Sequence, residues 1–433
     1  MRKNKIDIIS LGCSKNLVDS EHLIRQFQAN GYSVEHNPSR VDGEIVVVNT
    51  CGFIRDAQEE SIDMILELGR AKKEGKIKKL FVMGCLAERF MAQLIDELPE
   101  VDKFYGKFNW KEMLNDLGKS YKEDLSSERY LTTPKHYAYL KISEGCNRFC
   151  AFCAIPLITG RHKSVPMDTL LNEVKYLVSQ GVKEFNVIAQ DLSSYGLDLY
   201  GKMMLPELID QMAQIEGVEW IRLHYAYPTQ FPYDILPVMA KHDNVCKYLD
   251  IALQHSSDKV LNNMQRHITK AETIELIKRI RKEVPGIHIR TTLMVGFPGE
   301  GEEEFRYLVD FVKEMRFERM GAFAYSEEEG TFAAKHFDDI IPEDVKADRL
   351  DKIMEIQEEI SNEIQSKKVG NVYKVIIDSV DEMYYSGRTE WDSPEVDPEV
   401  LIPVENSKLE IGNFYQVEIT DATPFELFGK VVG

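Results

Sequence analysis

Three changes of pattern along this 433-residue chain predict an α/β fold in three parts. They are an N-terminal doubly wound α/β domain, a central partial (βα) barrel and a small C-terminal antiparallel β-barrel. Continuous β-branched runs alternate first with helical periods. The alternation then restarts after a polar stretch. The last 64 residues hold short apolar runs broken by Gly, Asp and Pro.

Residues 6–11 form a short apolar run, and a helical period follows over about 20–31. Residues 44–49 carry Ile45, Val46, Val47 and Val48 in succession, too continuous for a one-sided strand. A helix is expected over about 57–74, and residues 80–83 give a third run. Such runs between helices mark a parallel sheet covered on both faces, which predicts the doubly wound domain over 1–120. Residues 119–136 are polar, and 121–136 read as a linker. Between 137 and 365, strands are expected over 138–142, 185–188, 220–224, 248–253, 287–295 and 320–325. Helical periods lie between them, as at 169–179 and 271–284. Six βα units form a barrel-like sheet short of the usual eight. Leu350, Ile353, Ile356, Ile360 and Ile364 give residues 344–368 one apolar helical face, and Gly370 stops that helix. Residues 366–433 then read as a small antiparallel barrel.

Composition narrows the function. Apolar residues at 43 % and charged residues at 29 % fit a globular chain and exclude extended disorder. The net charge of −19 disfavours general nucleic-acid binding, which needs clustered Lys and Arg, and suits a basic partner. The charge is partly concentrated at the end, where residues 366–433 hold six basic and thirteen acidic side chains, a net of −7. Seven cysteines are too few for a secreted disulfide framework, so a reduced, cytoplasmic setting is expected. Residues 1–5 run straight into a strand-like segment, so no leader is expected, and no long apolar run predicts a membrane span.

Six of the cysteines fall into two groups of three. The tight group, Cys146-Asn-Arg-Phe-Cys150-Ala-Phe-Cys153, follows the first strand of the central domain, on the face where barrels build active sites. Three thiolates within eight residues can hold three irons of a 4Fe-4S cluster and leave the fourth iron open. The competing reading is a zinc knuckle with a distant fourth ligand, although zinc sites favour paired Cys-x₂-Cys units. The loose group is Cys13, Cys51 and Cys85, separated by 38 and 34 residues. Each follows a strand and adjoins a glycine (Gly12, Gly52, Gly84), which allows tight approach to a bulky group. In a parallel sheet the strand ends lie side by side, so this group also converges. Its competing reading is three buried core thiols. Cys246 lacks such a context and reads as structural.

Further candidates stand at barrel strand ends. Gln190 and Asp191 end the second strand, Gln254 ends the fourth, and Thr291 and Thr292 lie in the fifth. Polar groups on that face can bind a cofactor. Gly296-Phe-Pro-Gly-Glu300 reads as a strand-to-helix turn, and His255 as structural.

Cys-x₃-Cys-x₂-Cys at a barrel strand end, with Phe152 before the last cysteine, resembles the radical S-adenosylmethionine superfamily. The upstream cysteines narrow the resemblance to the methylthiotransferases, which join a three-cysteine domain, a radical barrel and a TRAM domain. It covers essentially the whole chain. Gly12-Cys-Ser-Lys-Asn-Leu-Val-Asp-Ser-Glu21, Asn49-Thr-Cys-Gly-Phe53, Leu249-Asp-Ile-Ala-Leu-Gln-His255, Tyr325-Ser-Glu-Glu-Glu-Gly-Thr331 and Gly387-Arg-Thr-Glu-Trp-Asp-Ser-Pro-Glu-Val-Asp397 resemble the RimO type.

That resemblance implies two 4Fe-4S clusters, ligated by Cys146, Cys150 and Cys153 and by Cys13, Cys51 and Cys85. It also implies S-adenosylmethionine, for which Phe152, Gln190, Asp191, Gln254 and Thr292 are the candidate contacts. In that resemblance the first cluster would generate a radical, and the second would hold the sulfur that is methylated and transferred. The implied substrate is an aspartate β-carbon in small-subunit ribosomal protein twelve, with tRNA adenosine as the alternative. A reductant such as flavodoxin or ferredoxin is implied as well.

Overall fold

A computed structural model describes residues 2–406 and 408–432. The first part alternates β1 (Arg2–Ser10), α1 (Ser14–Ala29), β2 (Ser33–His36), β3 (Gly43–Thr50), α2 (Arg55–Lys73), β4 (Lys79–Gly84), α3 (Cys85–Glu97), β5 (Lys103–Phe104) and α4 (Trp110–Asp116). The strands pair in parallel in the order β2-β1-β3-β4-β5. Successive residues face opposite sides of a strand, so an unbroken apolar run supplies two cores. Ile6, Ile8, Ile45 and Val47 pack with Leu23 and Phe27 of α1 and with Met113 of α4. Ile9, Val46, Val48 and Val82 pack on the other face with Ile65 and Leu68 of α2 and with Leu86 of α3.

The polar stretch after α4 is a packed bridge. Gln26 of α1 accepts the Lys122 N–H at 2.8 Å and donates to the Lys122 carbonyl at 3.0 Å. Arg129 is buried between Glu21 and Glu173, at 3.4 and 3.2 Å.

The central part runs through β6 (Tyr137–Lys141), β7 (Ser143–Glu144), α5 (Ile155–Thr159), β8 (Lys163–Ser164), α6 (Met167–Ser179), β9 (Glu184–Ile188), α7 (Leu197–Tyr200), α8 (Leu205–Ala213), β10 (Trp220–Ala226), α9 (Ile235–Lys241) and β11 (Val245–Ile251). It continues with α10 (Asp258–Asn263), α11 (Lys270–Glu283), β12 (His288–Val295), α12 (Glu302–Met315), β13 (Arg319–Ala324), α13 (Phe332–His336) and α14 (Glu343–Ser366). Six strands form an open parallel sheet in the order β13-β12-β11-β10-β9-β6. Leu140, Phe185, Ile221, Leu249 and Ile289 share the main core with apolar residues of α6, α8, α9, α11, α12 and α14. The alternate residues include buried polar groups: Glu184, Asn186, Arg222, His224 and Asp250.

The last part closes a barrel from β14 (Val372–Val380), β15 (Tyr384–Arg388), β16 (Glu399–Pro403), β17 (Phe414–Ala422) and β18 (Glu426–Val431). Four ladders are antiparallel and β16–β18 is parallel. The sequence predicts an all-antiparallel barrel, but directions cannot alternate around an odd ring, so closure with five strands forces one parallel pair. Residues 388–397 reach back into the polar side of the central sheet. Arg388 meets Glu184 of β9, Asp392 meets Arg319 of β13, and Asp397 meets Arg290 of β12 and the Tyr248 hydroxyl of β11.

Candidate active site

Cys13, Cys51 and Cys85 leave the C-terminal ends of β1, β3 and β4. The strand order reverses between β1 and β3, the switch point at which such a sheet opens a crevice. Two glycines set the spacing. A Cβ on Gly12, whose φ is 85°, would stand 2.7 Å from the Cys51 Cβ. One on Gly84, φ 101°, would stand 2.6 Å from the Thr50 carbonyl oxygen. The close approach these glycines allow is thus between neighbouring strand ends, not the approach to a bulky ligand expected from the sequence. Asn16, in the first turn of α1, ties the ends together. Its amide donates to the Leu11 and Thr50 carbonyls at 3.2 and 2.9 Å, and its oxygen lies 3.5 Å from the Cys85 sulfur.

The second triad lies in the loop between β7 and α5. Backbone bonds pin it: Cys146 N–H to the Gly160 carbonyl, Ala151 N–H to Met264, and Cys153 N–H to Cys150. Arg266 donates to the Cys150 sulfur at 3.2 Å, and the Tyr227 hydroxyl is 3.5 Å from the same sulfur. Arg148 and Arg266 stand over the Tyr227 ring, 4.3 and 4.2 Å from its centroid.

All six cysteines line one cavity of about 370 Å³. The two sheets therefore meet at the C-terminal ends of their strands. Phe152, Gln190 and Gln254 also line it. Asp191 and Thr292 do not. The Asp191 carboxylate is committed to Arg148 at 2.7 Å and to Ser193 N–H and the Ser194 hydroxyl. Thr292 contributes its carbonyl, which accepts the Gln254 N–H at 2.9 Å. His255 is buried and donates from Nε2 to Glu300 at 2.8 Å while its Nδ1 accepts the Ser257 N–H, a structural arrangement. Cys246 packs with Trp220, Tyr248 and Ile376 under the terminal barrel.

The donor set fits clusters better than single ions. A tetrahedral zinc with Zn–S near 2.3 Å needs its sulfurs about 3.8 Å apart. Among the described residues, the three metal-ligand atoms that lie mutually within 4.8 Å belong to Asp7, Glu35 and Asp42, and neither cysteine triad is so tight. That acidic trio already surrounds the Lys5 ammonium. The cavity lining holds Lys15, Lys107, Arg148 and Arg266 and no acidic side chain. Four cations without a carboxylate suit an anionic thiolate-ligated group. The buried side-chain oxygens of Gln190 and Gln254 have no partner among the described residues and can accept from a ligand. Burial pushes the Cys85 and Cys146 thiols up to about 12 and raises Cys51 and Cys153. Burial acts the same way on Cys13, but Lys15, the Asn16 N–H and Lys107 outweigh it and hold that thiol below its ordinary value.

Two devices lock the domains around the cavity. Lys107 donates to Asp19 at 2.9 Å and to the Asn16 oxygen at 3.2 Å. Asp19 also takes Lys141, which bonds Glu144 at 2.9 Å, and Glu144 accepts from Gln190. Opposite, Glu328 leaves the central domain to accept from Arg55 N–H, the Gln58 amide and Arg89, at 3.2, 3.2 and 3.1 Å. Arg89 donates onward to the carbonyl of Gly52, next to Cys51, at 2.9 Å. Arg148 sits inside the cysteine motif and Lys15 inside the Gly12–Glu21 stretch, yet the sequence reading named neither. Lys107, Tyr227 and Arg266 are single residues in unremarkable segments.

Residues 5–106 match Uncharacterized protein family UPF0004, residues 140–312 the Radical SAM superfamily, and residues 369–432 the TRAM domain. The chain is 65 % identical over 432 residues to the ribosomal protein uS12 methylthiotransferase RimO of Parabacteroides distasonis, covering 100 % of both chains. It is 51 % identical to the protein of that name in Flavobacterium johnsoniae, covering 99 % of this chain and 98 % of the relative. The chain belongs to the RimO family of methylthiotransferases. Among solved structures, the radical S-adenosylmethionine methyltransferase TsrM from Kitasatospora setae aligns with TM-score 0.57 at 14 % identity, covering 77 % of each chain. The cobalamin-dependent enzyme OxsB aligns at TM-score 0.51 and 12 % identity, covering 81 % of this chain and 56 % of that one. These two share the fold with this RimO-family chain.

Proposed function

We propose that this RimO-family enzyme inserts a methylthio group at the β-carbon of an aspartate in small-subunit ribosomal protein uS12. The observation that carries the reading is the convergence of six thiols and four cations on one cavity, in a chain alike end to end to proteins named for that activity. The cofactors are two 4Fe-4S clusters and S-adenosylmethionine. Cys146, Cys150 and Cys153 would hold one cluster and Cys13, Cys51 and Cys85 the other, each with an open iron. Bound there, these groups supply radical removal of an unactivated hydrogen and a transferable sulfur, chemistry that side-chain acids and bases cannot provide.

The chain's own residues orient and enclose. Arg266 and Tyr227 fix the Cys150 sulfur, and Asn16 fixes the strand ends that carry the other triad. Phe152, Gln190 and Gln254 are the protein contacts left for S-adenosylmethionine. A small reductant protein such as flavodoxin or ferredoxin would supply electrons. The acidic C-terminal barrel suits a basic ribosomal protein and not tRNA. Asp378 and Asp392 pair with buried arginines and Asp397 with half-buried Arg290, but Asp381, Glu382, Glu399, Glu405, Glu410 and Glu426 remain on its surface. Among the described residues no helix is long and apolar enough to cross a membrane, and cytoplasmic action beside the ribosome follows from this substrate.

The test is anaerobic reconstitution followed by assay of purified uS12 and of tRNA. A mass gain of one SCH₂ unit on an aspartate of uS12 is expected. Product on tRNA alone overturns the reading. Glu328→Gln is expected to lower methylthio product per S-adenosylmethionine cleaved by about tenfold, a fraction of the roughly hundredfold that a 1 Å misplacement of reacting groups costs. Iron content should stay full. An unchanged ratio removes the Glu328 clasp from the mechanism.

A further inference from the structure

Three of the four cations lining the cavity are committed. Lys107 is held by Asp19 and Asn16. Arg148 is held by Asp191 at 2.7 Å and Gln230 at 3.3 Å. Arg266 donates to the Cys150 sulfur and the Ala252 carbonyl. The Lys15 ammonium, among the described residues, has no hydrogen bond and no carboxylate within 4 Å; it acts only at longer range on buried Asp250, which does not line the cavity. It lies 3.6 Å from the centroid of the Tyr225 ring. Tyr225, the penultimate residue of β10, has φ 65°, a left-handed conformation that a bulky side chain rarely adopts, and it too lines the cavity. An ammonium over a tyrosine face is held loosely compared with one hydrogen-bonded to a carboxylate. A cation parked this way, in a cavity that offers no acid of its own, is matched to an acid brought in by a ligand.

We propose that Lys15 is the specificity contact for the substrate's side-chain carboxylate, an inference that rests on the aspartate reading above. Lys15 is two residues past Cys13 on the first turn of α1. A carboxylate seated on its Nζ keeps the adjoining β-carbon in the cavity that both triads line. The same contact discriminates against the neutral amide, because asparagine in that place leaves the ammonium without a charge partner in a cavity lined by no acidic side chain.

The test measures binding of uS12 to reconstituted holoenzyme with S-adenosylmethionine present. Two forms of uS12 are compared: the natural one, and one with Asn at the aspartate that mass spectrometry finds modified. The wild-type enzyme is expected to prefer the aspartate form by about tenfold, in line with a single charge-assisted contact. Lys15→Met should bind both forms equally, and Lys15→Arg should restore the preference. Iron and sulfide content shows that each variant carries its clusters. A Lys15→Met enzyme with full iron that keeps the preference overturns the proposal, as does a wild-type enzyme with none. If the wild-type enzyme modifies no residue of uS12, the substrate reading fails instead and the Lys15 assignment falls with it.

Discussion

Replacing Cys13, Cys51 or Cys85 by alanine is expected to abolish methylthiolation while leaving reductive cleavage of S-adenosylmethionine in place. Replacing Cys146, Cys150 or Cys153 is expected to abolish both. The asymmetry follows from where the thiols sit. The first triad rides on three strand ends of the N-terminal sheet and is tied by Asn16. The second is a single loop of the central domain, pinned by its own backbone and by Arg266 and Tyr227. No hydrogen bond joins one triad to the other among the described residues, so losing one should leave the other intact. Iron analysis gives an independent measure: about eight irons per reconstituted chain should fall to about four in either class of variant, one 4Fe-4S cluster being lost. A Cys13→Ala enzyme that forms methylthio product at the wild-type rate overturns the sulfur-carrying role of the N-terminal triad. Retained cofactor cleavage in Cys150→Ala overturns the radical role of the other.

The sheets were legible because their cores are apolar and continuous. Ile45–Val48 needs two covered faces, and the structure supplies α1 and α4 on one side and α2 and α3 on the other. The first turn of α1 was hidden for the opposite reason. The helical period begins at Ser20 in the sequence, but the helix begins at Ser14. Its buried face there carries Asn16 and Ser20, polar groups that serve the strand ends, so the apolar period that reveals helices is missing where the helix does its work. Convergence of the loose cysteines was legible through topology, since strand ends of a parallel sheet must be neighbours. The cations were not. Lys107 and Arg266 become site residues only through contacts with chain about 90 and 116 residues away. Arg222, Arg290 and Arg319 likewise look like breaks in their strands. Arg222 and Arg319 are buried and Arg290 is half-buried because residues 388–397, far along the chain, return to satisfy them.

That returning segment gives the second large effect. Arg388→Met is expected to destabilise the enzyme by about 3–5 kcal/mol, the range for removing one partner of a buried ion pair. Arg388 donates to both oxygens of Glu184 at 2.9 and 2.7 Å and to both oxygens of Asp378 at 2.8 and 2.6 Å. Glu184 is fully buried and keeps only Arg222, at 3.1 Å, when Arg388 is gone. Burial opposes ionisation of Glu184, but Arg388 and Arg222 outweigh it and hold the carboxyl below its ordinary range. Asp378 is lowered against burial by Arg388 and His136. A lowered carboxyl contributes stability that is fully present above its unfolded value and is lost as pH falls through the folded one. In Arg388→Met the largest lowering cause is gone for both carboxyls, leaving Arg222 beside Glu184 and His136 beside Asp378. Burial now favours their protonated forms, so the deficit relative to wild type should be largest at neutral pH and shrink as pH falls toward 5. Denaturant unfolding at pH 7.5 and 5.5, with limited proteolysis to detect release of the terminal barrel, measures both. Asp378→Asn combined with Arg388→Met should recover part of the loss, because Asp378 is otherwise left with His136 alone. Wild-type stability in Arg388→Met would mean that residues 388–397 do not hold the barrel to the central sheet through this network.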